Sequence, residues 1–133
     1  MIIEKEYICD HISNNEPIYN FYSLRDYHRK IIGQMIHECD KFATVQNNVV
    51  LFIGIEIYIM ISESESAPFQ YFTLDGIKNN PEHIGFFRGY KVYHDLRLSI
   101  NKAIFGSTYQ EINQFITTKE RRKKLEKLNT TDG

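Results

Sequence analysis

The segment from Gly85 to Gly106, GFFRGYKVYHDLRLSINKAIFG, constrains the fold more than any other stretch of the chain. Phe86 and Phe87 lead into Arg88-Gly89, and Tyr90, Val92 and Tyr93 follow, so two strand-forming runs are separated by two residues. A glycine in a two-residue connection takes the positive φ that a tight hairpin turn demands. The spacing therefore predicts an antiparallel hairpin with Arg88 exposed at its tip and with Phe86, Tyr90 and Val92 packing or presenting a face. Lys102 to Phe105 then forms a short returning strand that stops at Gly106.

Composition agrees with a sheet-containing domain. The 133 residues suit one domain, and 42% hydrophobic content is enough for a modest core. Nine Tyr, nine Phe and many isoleucines favour strands. The expected class is α+β, with one long helix packed on a mostly antiparallel sheet and a C-terminal basic helix or tail. Sixteen basic side chains against 17 acidic ones give no global pull toward nucleic acid or an acidic substrate. The two cysteines, Cys9 and Cys39, are too few for a disulfide framework. Reduced thiols are the default, and one bridge stays open.

The opening MIIEKEYICD lacks the basic start, apolar run and cleavage site of a secretory signal. Residues Ile2 to Cys9 predict a short strand with Ile3, Tyr7 and Cys9 on one face. HISNNEP, residues 11 to 17, is a turn-rich break. Ser23 with Asp26 fits a capping pattern, and Leu24, Tyr27, Ile31, Met35, Cys39 and Phe42 recur at helical spacing, so a helix ending near residues 44 to 48 is expected.

Val49 to Ile61 alternates with period two: Val49, Leu51, Ile53, Ile55, Ile57, Ile59 and Ile61 share one face of a predicted strand. The other face is also largely apolar, which predicts a central strand covered on both sides. Thirteen residues with Glu56 in the middle are too short and too charged to cross a membrane, and no membrane partner is expected. SESESAP reads as a polar loop, Phe69 to Leu74 as a strand, and Asn79-Asn80-Pro81 as punctuation before the hairpin. Beyond Gly106, Thr108 to Glu111 suits a capping box, and Ile112, Phe115 and Ile116 supply an apolar stripe. Lys119 to Lys127 then concentrates six basic residues, among them Arg121, Arg122, Lys123 and Lys124. The division expected is a single domain over 1–118 and a basic, flexible tail over 119–133.

No residue set declares a chemistry. Cys9-Asp10-His11 and His37-Glu38-Cys39 invite a zinc reading, since thiolate and imidazole are zinc's usual ligands. Two positions apart on a helix are roughly 200° apart about the axis, so His37 and Cys39 do not aim at one ion, and Cys39 serves as a small hydrophobe on the apolar stripe. His83, His94 and Asp95 could supply acid-base groups. Adjacent strand residues point to opposite faces, however, which makes His94 and Asp95 a surface pair at the hairpin end. Neither a nucleophile elbow nor a phosphate-cradling glycine loop occurs. No metal or cofactor is expected. Glu56, if its strand is central, either pairs with Arg88, Lys91 or Arg97, faces a subunit boundary, or lies on a face open to water. The basic run is either a solvated, frayed helix or a docking element for an acidic protein surface or phosphates; its few aromatics disfavour base stacking.

The order of the predicted helix Leu24 to Ala43, the strand opening at Asn48-Val49-Val50, the polar loop, Gly85-x-x-x-Gly89-Tyr90-Lys91-Val92-Tyr93-x-Asp95 and Ile104-x-Gly106 resembles the closing part of tailed-bacteriophage major capsid proteins. In that family a long helix leads to a sheet segment of the form Gly-x-x-x-Gly-x-x-Val-Tyr-x-Asp and then to a strand ending in Gly. The resemblance spans about residues 24 to 106, and the chain is far shorter than a coat subunit. It implies a virion-associated structural module without an active site, located in a virion or the host cytoplasm. The expected function is therefore a non-enzymatic assembly protein whose partners are protein subunits, its own copies or others. Glu56, Phe86, Arg88, Tyr90, Arg121, Arg122, Lys123 and Lys124 are the expected contact residues, and nucleic acid is a less favoured partner for the basic run. The alternative is a small enzyme or ligand-binding domain using His83, His94 and Asp95.

Overall fold

The computed structural model describes residues 1–7, 21–64, 67–71 and 79–131. Its elements run β1 (Ile3–Glu6), α1 (Phe21–Ala43), β2 (Val50–Ile53), α2 (Ile55–Glu63), β3 (Phe69–Tyr71), β4 (Glu82–Phe87), β5 (Tyr90–His94), β6 (Lys102–Gly106) and α3 (Tyr109–Thr131). The six strands form one sheet in the order β1-β6-β2-β5-β4-β3. Among the described strands only the β2–β5 pair is parallel; the other pairs are antiparallel. The α+β class is therefore as the composition and patterning suggest.

Strand alternation sorts the core into two layers. Leu51, Ile53, Val92, Ala103 and Phe105 point to one face, where α1 contributes Ile31, Ile32, Met35, Cys39 and Phe42 and α2 contributes Ile57, Met60 and Ile61. Val50, Phe52 and Ile104 point to the other, where Ile112 and Ile116 of α3 cover them. Burying each large apolar side chain contributes about 1.5–3 kcal/mol, so both layers matter to stability. β2 is central and covered on both sides, as its two apolar faces require.

The hairpin forms as its spacing predicts. β4 and β5 are joined by Arg88 and Gly89, with φ of 53° and 84°. Positive φ at both turn positions matches the right-handed twist of the flanking strands. Arg88 is exposed at the tip, and its guanidinium grips the Asp40 carboxylate of α1 at 2.9 and 3.2 Å.

The run Val49 to Ile61 departs from the single strand expected of it. β2 ends at Ile53, and α2 begins at Ile55. At Gly54 the connection before β6 passes so close that a Cβ would collide with the Ser99 carbonyl oxygen. The Ile100 carbonyl then accepts the N–H groups of Glu56 and Ile57 at 2.8 and 3.4 Å, satisfying donors that a helix start leaves without intrahelical partners. Ile57, Met60 and Ile61 become the buried stripe. Glu56 consequently sits half-buried in the first turn of α2 rather than in the sheet, and it makes no ion pair among the described residues.

Other boundaries shift less. β1 is shorter than Ile2 to Cys9, and Cys9, His11 and the HISNNEP break lie outside the described residues, while Cys39 is a buried free thiol and not half of a bridge. α1 starts at Phe21, two residues before Ser23, and stops at Ala43, while residues 72–74 of the third expected strand are outside the described set. α3 passes residue 119 without a break and continues to Thr131.

Candidate interaction surface

On the face of the sheet that carries α3, the helix packs on β6 and leaves the outer strands partly open. Register places Phe86 opposite Lys91 and Gln70, and His83 opposite Tyr93. Lys91 and Gln70 are exposed, while Phe86, His83 and Tyr93 are half-buried. Their rings join a continuous aromatic row. Phe52 lies 5.1 Å from Tyr93 and 5.5 Å from Tyr109, and Tyr93 lies 4.9 Å from Tyr109. His83 stacks on Tyr93 at 4.9 Å and meets Phe86 edge-on at 5.4 Å. Asn79, Asn80 and Glu82 form the polar rim of a shallow groove that Pro81, His83, Tyr93 and Tyr109 also line. Burial pushes the His83 imidazole below the usual histidine range, against an opposing hydrogen-bond contact with the Gly85 carbonyl at 3.1 Å.

His94 occupies the opposite face. Its ring stacks on Tyr58 of α2 at 6.0 Å, and its Nε2 is buried without a hydrogen-bond partner among the described residues. Burial lowers its pKa, and the neighbouring Asp95 charge only partly opposes this. His83 and His94 therefore lie on different sides of the sheet and do not converge.

Asp95 is fully buried, so the surface pair expected of His94 and Asp95 is corrected: both are interior. The Asp95 carboxylate is held by Arg97, whose Nε and Nη2 donate to it at 3.0 and 2.7 Å, and by the Arg97 backbone N–H at 2.9 Å. Asn80 Nδ2 donates to it at 3.3 Å. Arg97 also reaches α3, donating to Asn113 Oδ1 at 2.6 Å and Thr117 Oγ1 at 3.1 Å. The hydrogen bonds to Asp95 raise the guanidinium's pKa above its ordinary value. With its lone pairs so occupied, Asp95 anchors a fold element and is not oriented to activate either histidine. Sequence reasoning missed this clamp. Its only local signal is Asn113 and Thr117, polar at i, i+4 on one side of an otherwise apolar-striped helix.

The expected contact residues fall in three separate places. Phe86 belongs to the aromatic row, whereas Tyr90 points to the α1/α2 face and packs against its core. Arg88 is engaged by Asp40, and the expected partners Arg88 and Arg97 are thus committed away from Glu56. Arg121, Arg122, Lys123 and Lys124 are exposed on every side of α3, where the helix has run past the sheet. Among the described residues no group of three or more His, Cys, Asp or Glu side chains could hold a metal ion. His37 is exposed while Cys39 is buried, as their helical spacing requires, and burial pushes the Cys39 thiol up to about 12. No described helix is long and apolar enough to cross a membrane. No family model, curated protein or solved structure matches this chain.

Proposed function

We propose that this chain is a non-enzymatic structural protein that works by contacts with other protein subunits, of the kind found in virion components. One observation carries the reading: the titratable groups nearest to a catalytic set are divided between two faces of the sheet and partly locked by Arg97, while half-buried aromatic rings line the sheet face beside α3. Half-buried Phe and Tyr with a polar rim are the composition of protein interfaces rather than of reaction centres. The resemblance to capsid proteins adds to this, since its motif covers the β4–β5 hairpin and the end of β6. Mass spectrometry of particles purified from the source organism tests the reading. The chain is expected in fixed stoichiometry with other shell subunits. Its absence from every particle fraction, together with a substrate turnover abolished by His83→Ala, would overturn it.

A further inference from the structure

We infer that the exposed end of α3 docks on the outward side of α2 in a second copy of this chain, in a head-to-tail contact. The inference rests on the assembly reading and names its partner. Residues 119–127 hold six basic and two acidic side chains, a net of +4, whereas α2 carries Glu56 and Glu63 and no basic side chain, a net of −2. The end of α3 and the exposed side of α2 therefore carry opposite charge, and these two regions of different copies attract.

Two exposed apolar side chains give that attraction a register. Ile59 on α2 is 45% exposed and Leu125 on α3 is 60% exposed. Glu56 lies one turn before Ile59 and Glu63 one turn after it, on the same side of the helix. Arg121 and Arg122 lie one turn before Leu125. A helix pair in either direction therefore sets Leu125 on Ile59 with a carboxylate beside the two guanidiniums. Neither Glu56 nor Glu63, nor Arg121 or Arg122, makes an ion pair among the described residues, so none must be released first.

The complementary helix has to come from another molecule. α2 packs on one face of the sheet and α3 on the other, with β2, β5 and β6 between them. The two patches differ, so each copy offers one of each, and the contact repeats as a ring or a filament. Exposed charge pairs screened by salt make it individually weak, which suits assembly governed by local concentration.

Sedimentation velocity with charge reversal tests the contact. Wild-type chain is expected to associate with rising protein concentration, and the association should weaken about tenfold or more between roughly 0.05 and 0.5 M salt. The variant Arg121→Glu with Arg122→Glu, and separately Glu56→Lys with Glu63→Lys, should each stay monomeric with an unchanged circular-dichroism spectrum. Mixing the two variants should restore association, because each then meets opposite charge on both patches. Leu125→Asp should weaken wild-type association without altering the fold. A wild-type chain that is monomeric at low salt overturns the contact. So does one that remains monomeric yet binds duplex DNA or RNA through Arg121 and Arg122. Association that survives both reversals overturns this docking site alone, and leaves the wider assembly reading to the particle analysis.

Discussion

His94 ties a buried ring to a measurable pH response. Its imidazole lies against Tyr58 with Nε2 unpartnered among the described residues, and burial holds its pKa below the ordinary value. A histidine whose folded pKa is depressed binds fewer protons in the native state than in the unfolded chain, so its contribution is complete above the unfolded value, about 6.5, and is lost as pH falls below it. His83 shifts in the same direction, again chiefly through burial. The melting temperature is accordingly expected to fall between pH 7 and pH 5. In His94→Phe, which keeps the ring against Tyr58 and removes the orphan nitrogen, the fall should be shallower. A differential scanning calorimetry series across that range checks this, and identical slopes for variant and wild type would show that His94 titrates freely. Aspartate and histidine adjacency was readable as a pair on opposite faces, since side-chain alternation is local. Their burial was not, because it depends on α2 and α3 closing over the two sides of the sheet.

At the scale of elements, Gly54 is where the isoleucine run passes from β2 into α2, against the connection before β6. A side chain there meets the Ser99 carbonyl oxygen and the Ile100 backbone. Gly54→Val is therefore expected to cost about 1–3 kcal/mol through overpacking, measured as a lower urea midpoint with little change in slope. Wild-type stability in that variant would show that the 99–100 connection moves aside freely. The hairpin offers the complementary case: Gly89 has φ of 84° and open space where a Cβ would go. Gly89→Ala is expected to cost about 1 kcal/mol from backbone strain alone, seen as faster amide exchange across β4 and β5. These elements differ in how legible they are. The α1 stripe from Ile31 to Phe42 fits only a helical period, and Arg88-Gly89 fits only a tight turn, so both follow from local chemistry. Residues 55 to 61 place isoleucine at alternate positions, while Ile57, Met60 and Ile61 also satisfy a helical stripe. Two periods fit the same residues. The choice between them comes from the Ile100 carbonyl, some forty positions away, which receives the first N–H groups of α2.

Across the whole molecule, the Asp95–Arg97 pair joins the end of β5 to α3 and so couples the sheet to its second helical layer. Arg97 donates to the buried carboxylate and to Asn113 and Thr117 on the helix, while Asn80 completes the ring of contacts. No contiguous motif announces such a clamp, because its partners come from three regions that only the topology brings together. Removing one member leaves the other charge in a site that water reaches poorly: the Arg97 side chain is 24% exposed. Asp95→Ala is therefore expected to destabilise the chain by about 3 kcal/mol. Arg97→Met alone leaves a fully buried carboxylate and should cost a similar amount, whereas the double variant removes both charges and keeps the apolar stem against α3. Its cost should fall short of the summed single effects by about 1 kcal/mol or more, the signature of a direct pair. Urea unfolding of the four proteins, followed by circular dichroism, closes the cycle. Additive losses would mean that Asp95 and Arg97 act through separate contacts, and the link between the sheet and α3 would then rest on the apolar packing of Ile112 and Ile116 with Phe52 of β2 and Ile104 of β6.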